Sequence, residues 1–211
     1  MSLVETVVED AAIGVAVAES PSSLNAFLRP GCAAAIWRRQ IPRTVQAWLN
    51  GLGGDLLPRS RIVLRPRAAA QLIEQACDIA GLPDGPERQW FETDIAALVR
   101  VFADLMAAKY VRLRLEAVDT NACRKFHIDA ITGRLVCTYR GPGTQYGIST
   151  SGRDPQRIFS VATGSPILLR GTLWPEGPAT GLLHRSPPIE GTGETRLVLV
   201  LDPVSELEDG I

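Results

Sequence analysis

The stretch Val111-Arg112-Leu113-Arg114-Leu115-Glu116-Ala117-Val118 places a charged residue at every second position from 112 to 116. Successive side chains of an extended chain point to opposite faces, so this period of two predicts a β-strand with one apolar and one charged face. The same texture continues downstream. Short apolar segments at residues 124–128, 134–139, 157–161, 167–170, 181–184 and 195–201 are separated by turn residues. Strands at this spacing suggest a sandwich or barrel. The stretch at 141–154 is long, polar and rich in glycine, which suits a lid or a substrate-contacting loop.

Upstream of residue 110 the apolar period lengthens to that of a helix. Ala69, Leu72, Ile73, Ala76 and Ala80 form a stripe over residues 68–80, and Gly81 and Pro83 end it. Trp90, Ile95, Leu98, Phe102 and Leu105 form another over residues 86–109. Pro42 opens a shorter helix through Leu49 that stops at Gly51, and Pro21-Ser22-Ser23 starts one before residues 24–28. Residues 62–64 read as a strand, whereas 33–39 fits a buried strand and a helix equally well. The first twenty residues show no period and are expected to form a loosely held leader with room for a short strand. Helical stripes need a surface to cover, so one α+β unit is expected over residues 1–211. Residues 1–110 would then be a helical support layer, packed on one sheet of a strand-rich core at 111–201. Trp37, Trp48 and Trp90 are expected to pack beneath that layer.

The 211 residues carry 22 basic and 23 acidic side chains for a net charge of −1, so there is no broad positive field of the kind nucleic acid requires. Cys32, Cys77, Cys123 and Cys137 show no paired spacing and read as reduced thiols of a cytoplasmic protein. Cys123 is expected to be a small buried hydrophobe, although its even offset from His127 also suits the same strand face. No apolar run approaches the length of a membrane span, and none resembles a secretory leader.

The two histidines of the chain are His127 and His184. In an extended Cys123-Arg124-Lys125-Phe126-His127-Ile128-Asp129, His127 and Asp129 face one point, and His184 arrives if the chain folds back. Two imidazoles and one carboxylate on one side of a cation, with the other side open, suit non-haem Fe(II) and its oxygen chemistry, although zinc accepts the same ligands. Gly181-Leu182-Leu183-His184-Arg185-Ser186-Pro187-Pro188 is followed by an apolar strand that opens with Arg196.

Two resemblances rest on these residues. Cys123 to Asp129, Arg134-Leu135-Val136-Cys137-Thr138-Tyr139-Arg140-Gly141-Pro142-Gly143-Thr144, Leu169-Arg170-Gly171 and His184-Arg185-Ser186-Pro187-Pro188 resemble the bacterial family labelled domain of unknown function 1826, over most of the chain. More distantly, the His-x-Asp pair, the arginine-started strand, the distal histidine beside a proline pair and the arginine on the next strand resemble the Fe(II)/2-oxoglutarate-dependent dioxygenases, over residues 111–201. That resemblance implies a double-stranded β-helix, the jelly roll of cupin-like proteins, with helices outside one sheet. It implies His127, Asp129 and His184 as iron ligands, and Arg196 as the clamp on the far carboxylate of 2-oxoglutarate. A guanidinium fork suits that task. It also implies oxygen-dependent decarboxylation to succinate, coupled to hydroxylation of an unknown small molecule or protein side chain.

On the strand at 134–140 either Leu135, Cys137 and Tyr139 or Arg134, Val136, Thr138 and Arg140 face inward, and a bulge would change the answer. Tyr139 and Arg134 are therefore both candidates to touch the cosubstrate. Arg140, Thr144, Trp174 and Arg185 are candidates for the mouth or lid. Two rival functions share the same triad. One is a non-catalytic metal-binding or metal-homeostasis accessory protein, and the other is a cupin-like metalloenzyme that does not use 2-oxoglutarate. A structural domain with two ordinary polar histidines is the third.

Overall fold

The alternating stretch forms β4 (Tyr110–Val118) in the computed structural model, which describes residues 14–121, 123–149, 153–175 and 181–206. Its odd-numbered leucines, Leu113 and Leu115, are fully buried, and Arg112, Arg114 and Glu116 lie on the other face. Burial of each leucine contributes about 2 kcal/mol, which fixes the register because a one-residue slip would turn both outward. β4 pairs antiparallel with β3 (Ser60–Leu64) on one side and β10 (Arg196–Val204) on the other. Beyond β10 the seven-stranded sheet continues through β5 (Gly133–Arg140), β8 (Ile167–Arg170), β2 (Ala34–Trp37) and β1 (Val15–Ala18). Its one parallel pair among the described residues is β1 with β2. A three-stranded sheet of order β7 (Phe159–Ser160), β6 (Gln145–Ile148) and β9 (Leu182–Arg185) completes a mixed α/β fold with a large sheet and few helices.

Two apolar clusters make three layers. In the larger, α1 (Arg43–Gly51), α2 (Ala69–Ile79) and α3 (Pro86–Leu105) press Val45, Leu49, Ile73, Phe91, Leu98 and Phe102 against one face of the large sheet. The smaller lies between the sheets, where Val136 and Val198 of the large sheet meet Tyr146 and Leu182 of the small one. The sheet is therefore buried on both faces at β5 and β10, and those strands show no clean alternation.

The helices at 68–80 and 86–109 form as Ala69–Ile79 and Pro86–Leu105, each shorter at its C-terminal end. Gly81, at φ +70°, supplies the left-handed residue that ends α2. Within residues 33–39 the segment Ala34–Trp37 is a strand, and Pro21–Leu28 is a 3-10 helix. Trp37, Trp48 and Trp90 are partly buried against the helix-facing cluster. Three expectations need correction. Residues 124–128 form no strand, only a single bridge at His127. The 141–154 loop contains β6, because Tyr146 stacks on Phe159 and is buried between the sheets. Cys123 is exposed, since no strand carries it inward. Residues 1–13 of the expected leader and 150–152 of the expected loop lie outside the described residues.

Candidate metal centre

His184 sits on β9, where alternation buries Leu182 and His184 between the sheets and leaves Leu183 and Arg185 partly exposed. His127 reaches it through one antiparallel bridge, in which each histidine N–H donates to the other's carbonyl at 3.0 Å. The two rings lie 4.5 Å apart between centroids. Asp129 is fixed through its own backbone, since its carbonyl accepts the Thr172 N–H at 2.9 Å. Gly171 makes that approach possible. A Cβ there would stand 2.6 Å from the Asp129 carbonyl oxygen and 2.1 Å from that of Ile131.

The side chains converge. Oδ1 of Asp129 is 3.5 Å from Nε2 of His127, and Oδ2 is 3.1 Å from Nε2 of His184. One donor atom from each of the three lies within 4.8 Å of the others. Ligand atoms held at right angles, each about 2.1 Å from a cation, stand about 3 Å apart. Nδ1 of His127 is 2.9 Å from the Lys125 carbonyl, so the tautomer that donates there leaves the Nε2 lone pair facing Asp129. Among the described residues Oδ2 of Asp129 is buried and has no neighbour to bond to besides the His184 ring nitrogen. A buried carboxylate oxygen whose one neighbour is itself a ligating nitrogen fits a metal ligand. The donor set of two neutral imidazoles and one carboxylate fits Fe(II).

The electrostatics keep Asp129 and His184 in ligating form. Burial pushes the Asp129 carboxyl up, but the His184 contact and the charges of His184, Arg134 and His127 outweigh it and hold the group down to about 2. Burial lowers the His184 imidazole below its ordinary value despite the carboxylate beside it, which favours the neutral ring.

Arg134 lies on the same side of β5, and its fork is committed to protein carboxylates. Nε and Nη2 donate to Asp202 at 2.6 and 2.9 Å, and Nη1 reaches Oδ1 of Asp129 at 2.6 Å. It therefore aims the Asp129 carboxylate, and its side chain also lines the cavity beside the two histidines.

Arg196, at the start of β10, is different. It is 3% exposed and donates to the Pro142 carbonyl at 2.7 Å and the Thr138 hydroxyl at 3.2 Å. Among the described residues no carboxylate stands within ion-pair distance of it. Burial with no compensating charge lowers its guanidinium to about 10. Arg196, His127 and His184 line one cavity of about 100 Å³, together with Thr144 and Arg185.

Three expected site residues lie elsewhere. Between Leu197 and Val198 the β10 pairing skips from Arg140 to Thr138, a bulge that leaves Tyr139 unmatched. Tyr139 and Arg140 both turn toward the helices as a result. The Tyr139 hydroxyl donates to Asp94 of α3 at 2.6 Å, and its ring meets Phe91 edge-on at 4.9 Å. Arg140 donates to the carbonyls of Leu49 and Leu52 at the end of α1. Trp174 packs on Phe27 at 5.1 Å, with the Arg170 guanidinium 4.2 Å from its ring. Thr144 and Arg185 do border the cavity. Sequence reasoning missed Asp202, Arg114 and Gly171. The alternation of β4 already put Arg114 on the charged face, but nothing in the sequence paired that face with β10.

A family model described as "Protein of unknown function (DUF1826)" matches residues 18–202. No curated protein matches the sequence. Among solved structures, the dioxygenase for auxin oxidation 1 from Arabidopsis thaliana, in complex with 2-oxoglutarate, has a similar fold. The TM-score is 0.54 at 12% identity, over 95% of each chain. The dioxygenase for auxin oxidation in rice gives a TM-score of 0.52 at 14% identity, over 94% of this chain and 85% of that one. At these identities the likeness is one of fold.

Proposed function

The chain belongs to the family described as protein of unknown function (DUF1826), and we propose that it is an Fe(II)/2-oxoglutarate-dependent oxygenase built as one domain on a double-stranded β-helix. His127, Asp129 and His184 hold the iron, and Arg196 holds the far carboxylate of 2-oxoglutarate. The observation that carries this reading is one cavity lined by both histidines of the three-ligand cluster and by a buried arginine that has no acidic partner among the described residues. A purely structural metal site would not need such a cation. Burying an unpaired charge is expensive, and an incoming carboxylate removes that cost. The solved structures of similar fold are dioxygenases by name, one of them held with 2-oxoglutarate.

When bound, iron, 2-oxoglutarate and oxygen supply oxidative decarboxylation, yielding succinate and carbon dioxide and hydroxylating a C–H bond of a small molecule. The protein's residues set the conditions. His127 and His184 present ring nitrogens toward Asp129, and Arg134 aims the Asp129 carboxylate. Thr138 and the Pro142 carbonyl hold the Arg196 fork in place before any ligand arrives, which reduces the ordering cost of binding. Val136 and Val198 give the cavity floor an apolar wall that excludes water.

An anaerobic titration tests this. The wild-type protein should take up one Fe(II) per chain and then bind 2-oxoglutarate, and His127→Ala should do neither. Equal and negligible uptake by both proteins would end the metal reading, and iron uptake without 2-oxoglutarate binding would end the cosubstrate reading.

A further inference from the structure

The cavity-facing side of the large sheet carries arginines at two separate places: Arg196, with no acidic partner among the described residues, and Arg114, which shares its one acid with another arginine. Register pairs Val118 of β4 with Arg196, and Arg114 with Val200. Arg114 therefore lies four positions along the sheet from Arg196, about 13 Å at the rise of a strand. Both border the same cavity. A single carboxylate cannot bridge them.

Arg114 is poorly served by the protein itself. Its Nη2 reaches Oδ2 of Asp202 at 3.3 Å, while Arg134 grips that carboxylate from two sides at 2.6 and 2.9 Å. Two guanidiniums thus share one acid. Arg134 has Asp129 as a second partner, and Arg114 has none among the described residues. The Nε of Arg114 is buried and makes no hydrogen bond. Glu116, next on the same face of β4, borders the cavity but forms no ion pair with Arg114. At the mouth, Arg185 stacks over Phe126 at 4.4 Å and donates to the neutral amide oxygen of Gln145. Arg124 and Lys125 stand exposed beside it. The mouth therefore carries three cations, and inside the cavity Arg114 has only a share of Asp202, with the Glu116 carboxylate on the same face.

We propose that Arg114 anchors a second anion, the carboxylate of the molecule to be oxidised, so that the substrate is a small carboxylic acid bound alongside 2-oxoglutarate. This inference rests on the preceding functional reading, in which Arg196 is taken by the cosubstrate. One weakly paired guanidinium calls for a monoanion. A phosphate dianion would need a further cation.

Fluorine NMR tests it with trifluoroacetate as the probe and trifluoroacetamide as its uncharged counterpart. Both are added to protein loaded with Mn(II) and saturated with 2-oxoglutarate, with Zn(II)-loaded protein as the diamagnetic control. Trifluoroacetate should be relaxed by the manganese and trifluoroacetamide should not. Arg114→Gln should weaken trifluoroacetate binding about tenfold or more, and Arg114→Lys should restore most of it. Inorganic phosphate should compete poorly. Relaxation of both probes alike, relaxation unchanged in Arg114→Gln, strong competition by phosphate, or no relaxation in a protein that does bind 2-oxoglutarate would each overturn the proposal. A protein that binds trifluoroacetate through Arg114 but fails to bind 2-oxoglutarate would keep the anion site and overturn only the oxygenase reading.

Discussion

Replacing Arg196 with methionine removes a buried charge and keeps most of the side chain's apolar length. Burial lowers the guanidinium from its ordinary value to about 10. At 1.36 kcal/mol per tenfold step this corresponds to roughly 3 kcal/mol held against the charged form. Its two hydrogen bonds, to Pro142 and Thr138, return about 1 kcal/mol each or somewhat more. Arg196→Met should therefore leave the stability of the ligand-free protein within about 1 kcal/mol of wild type. The ligand response should differ sharply. Wild-type protein with Mn(II), anaerobic, in 2-oxoglutarate at a hundredfold excess over its dissociation constant, should gain about 2.7 kcal/mol, and the variant should gain almost nothing. Urea denaturation with and without 2-oxoglutarate measures both quantities. A loss above about 3 kcal/mol without ligand would make Arg196 a structural arginine, and an undiminished gain with 2-oxoglutarate would remove it from the cosubstrate site.

Tyr139→Phe should cost about 1–3 kcal/mol in thermal denaturation, because Asp94 loses its hydroxyl donor inside the helix–sheet core, and should leave 2-oxoglutarate affinity of the Mn(II) form unchanged. Gly171→Ala forces a Cβ against the carbonyls of Ile131 and Asp129, so metal affinity by competitive chelator titration should fall, with a stability loss of about 1–3 kcal/mol. In metal-free protein the Asp129 carboxyl, held at about 2 against an ordinary 3.8, favours the folded state above pH 3.8 and loses that contribution as pH falls toward 2. It amounts to about 2 kcal/mol, and Asp129→Asn should flatten that part of a urea-stability profile across pH.

The sequence disclosed most where one face of an element is dry and the other wet. The Arg112, Arg114, Glu116 alternation identified β4, and the stripes through Ile73 and Leu98 identified α2 and α3. The two histidines could be singled out because there are no others. Legibility failed where both faces are buried. On β5, Leu135 to Tyr139 are all buried, so polarity could not tell the Thr138 face from the Tyr139 face. The bulge then sent Tyr139 and Arg140 to the same side, which no count of alternate positions anticipates. His127 and Asp129 were expected on a strand, whereas a single bridge and the Gly171 contact hold them. Contacts of that kind depend on residues forty or more positions away and leave no local period. Asp202 illustrates the same limit, since its importance lies in the two arginines that meet it across the sheet.

Succinate formation from 2-oxoglutarate tests the central claim most directly. Aerobic incubation of wild-type protein with Fe(II) and 2-oxoglutarate should release succinate above the protein-free rate, even without added substrate, and carboxylate-bearing candidates should accelerate it. Asp129→Ala, missing one of the three ligands, should return the rate to the protein-free background. A wild-type rate equal to that background with every candidate substrate, or a rate that persists undiminished in Asp129→Ala, would contradict the account.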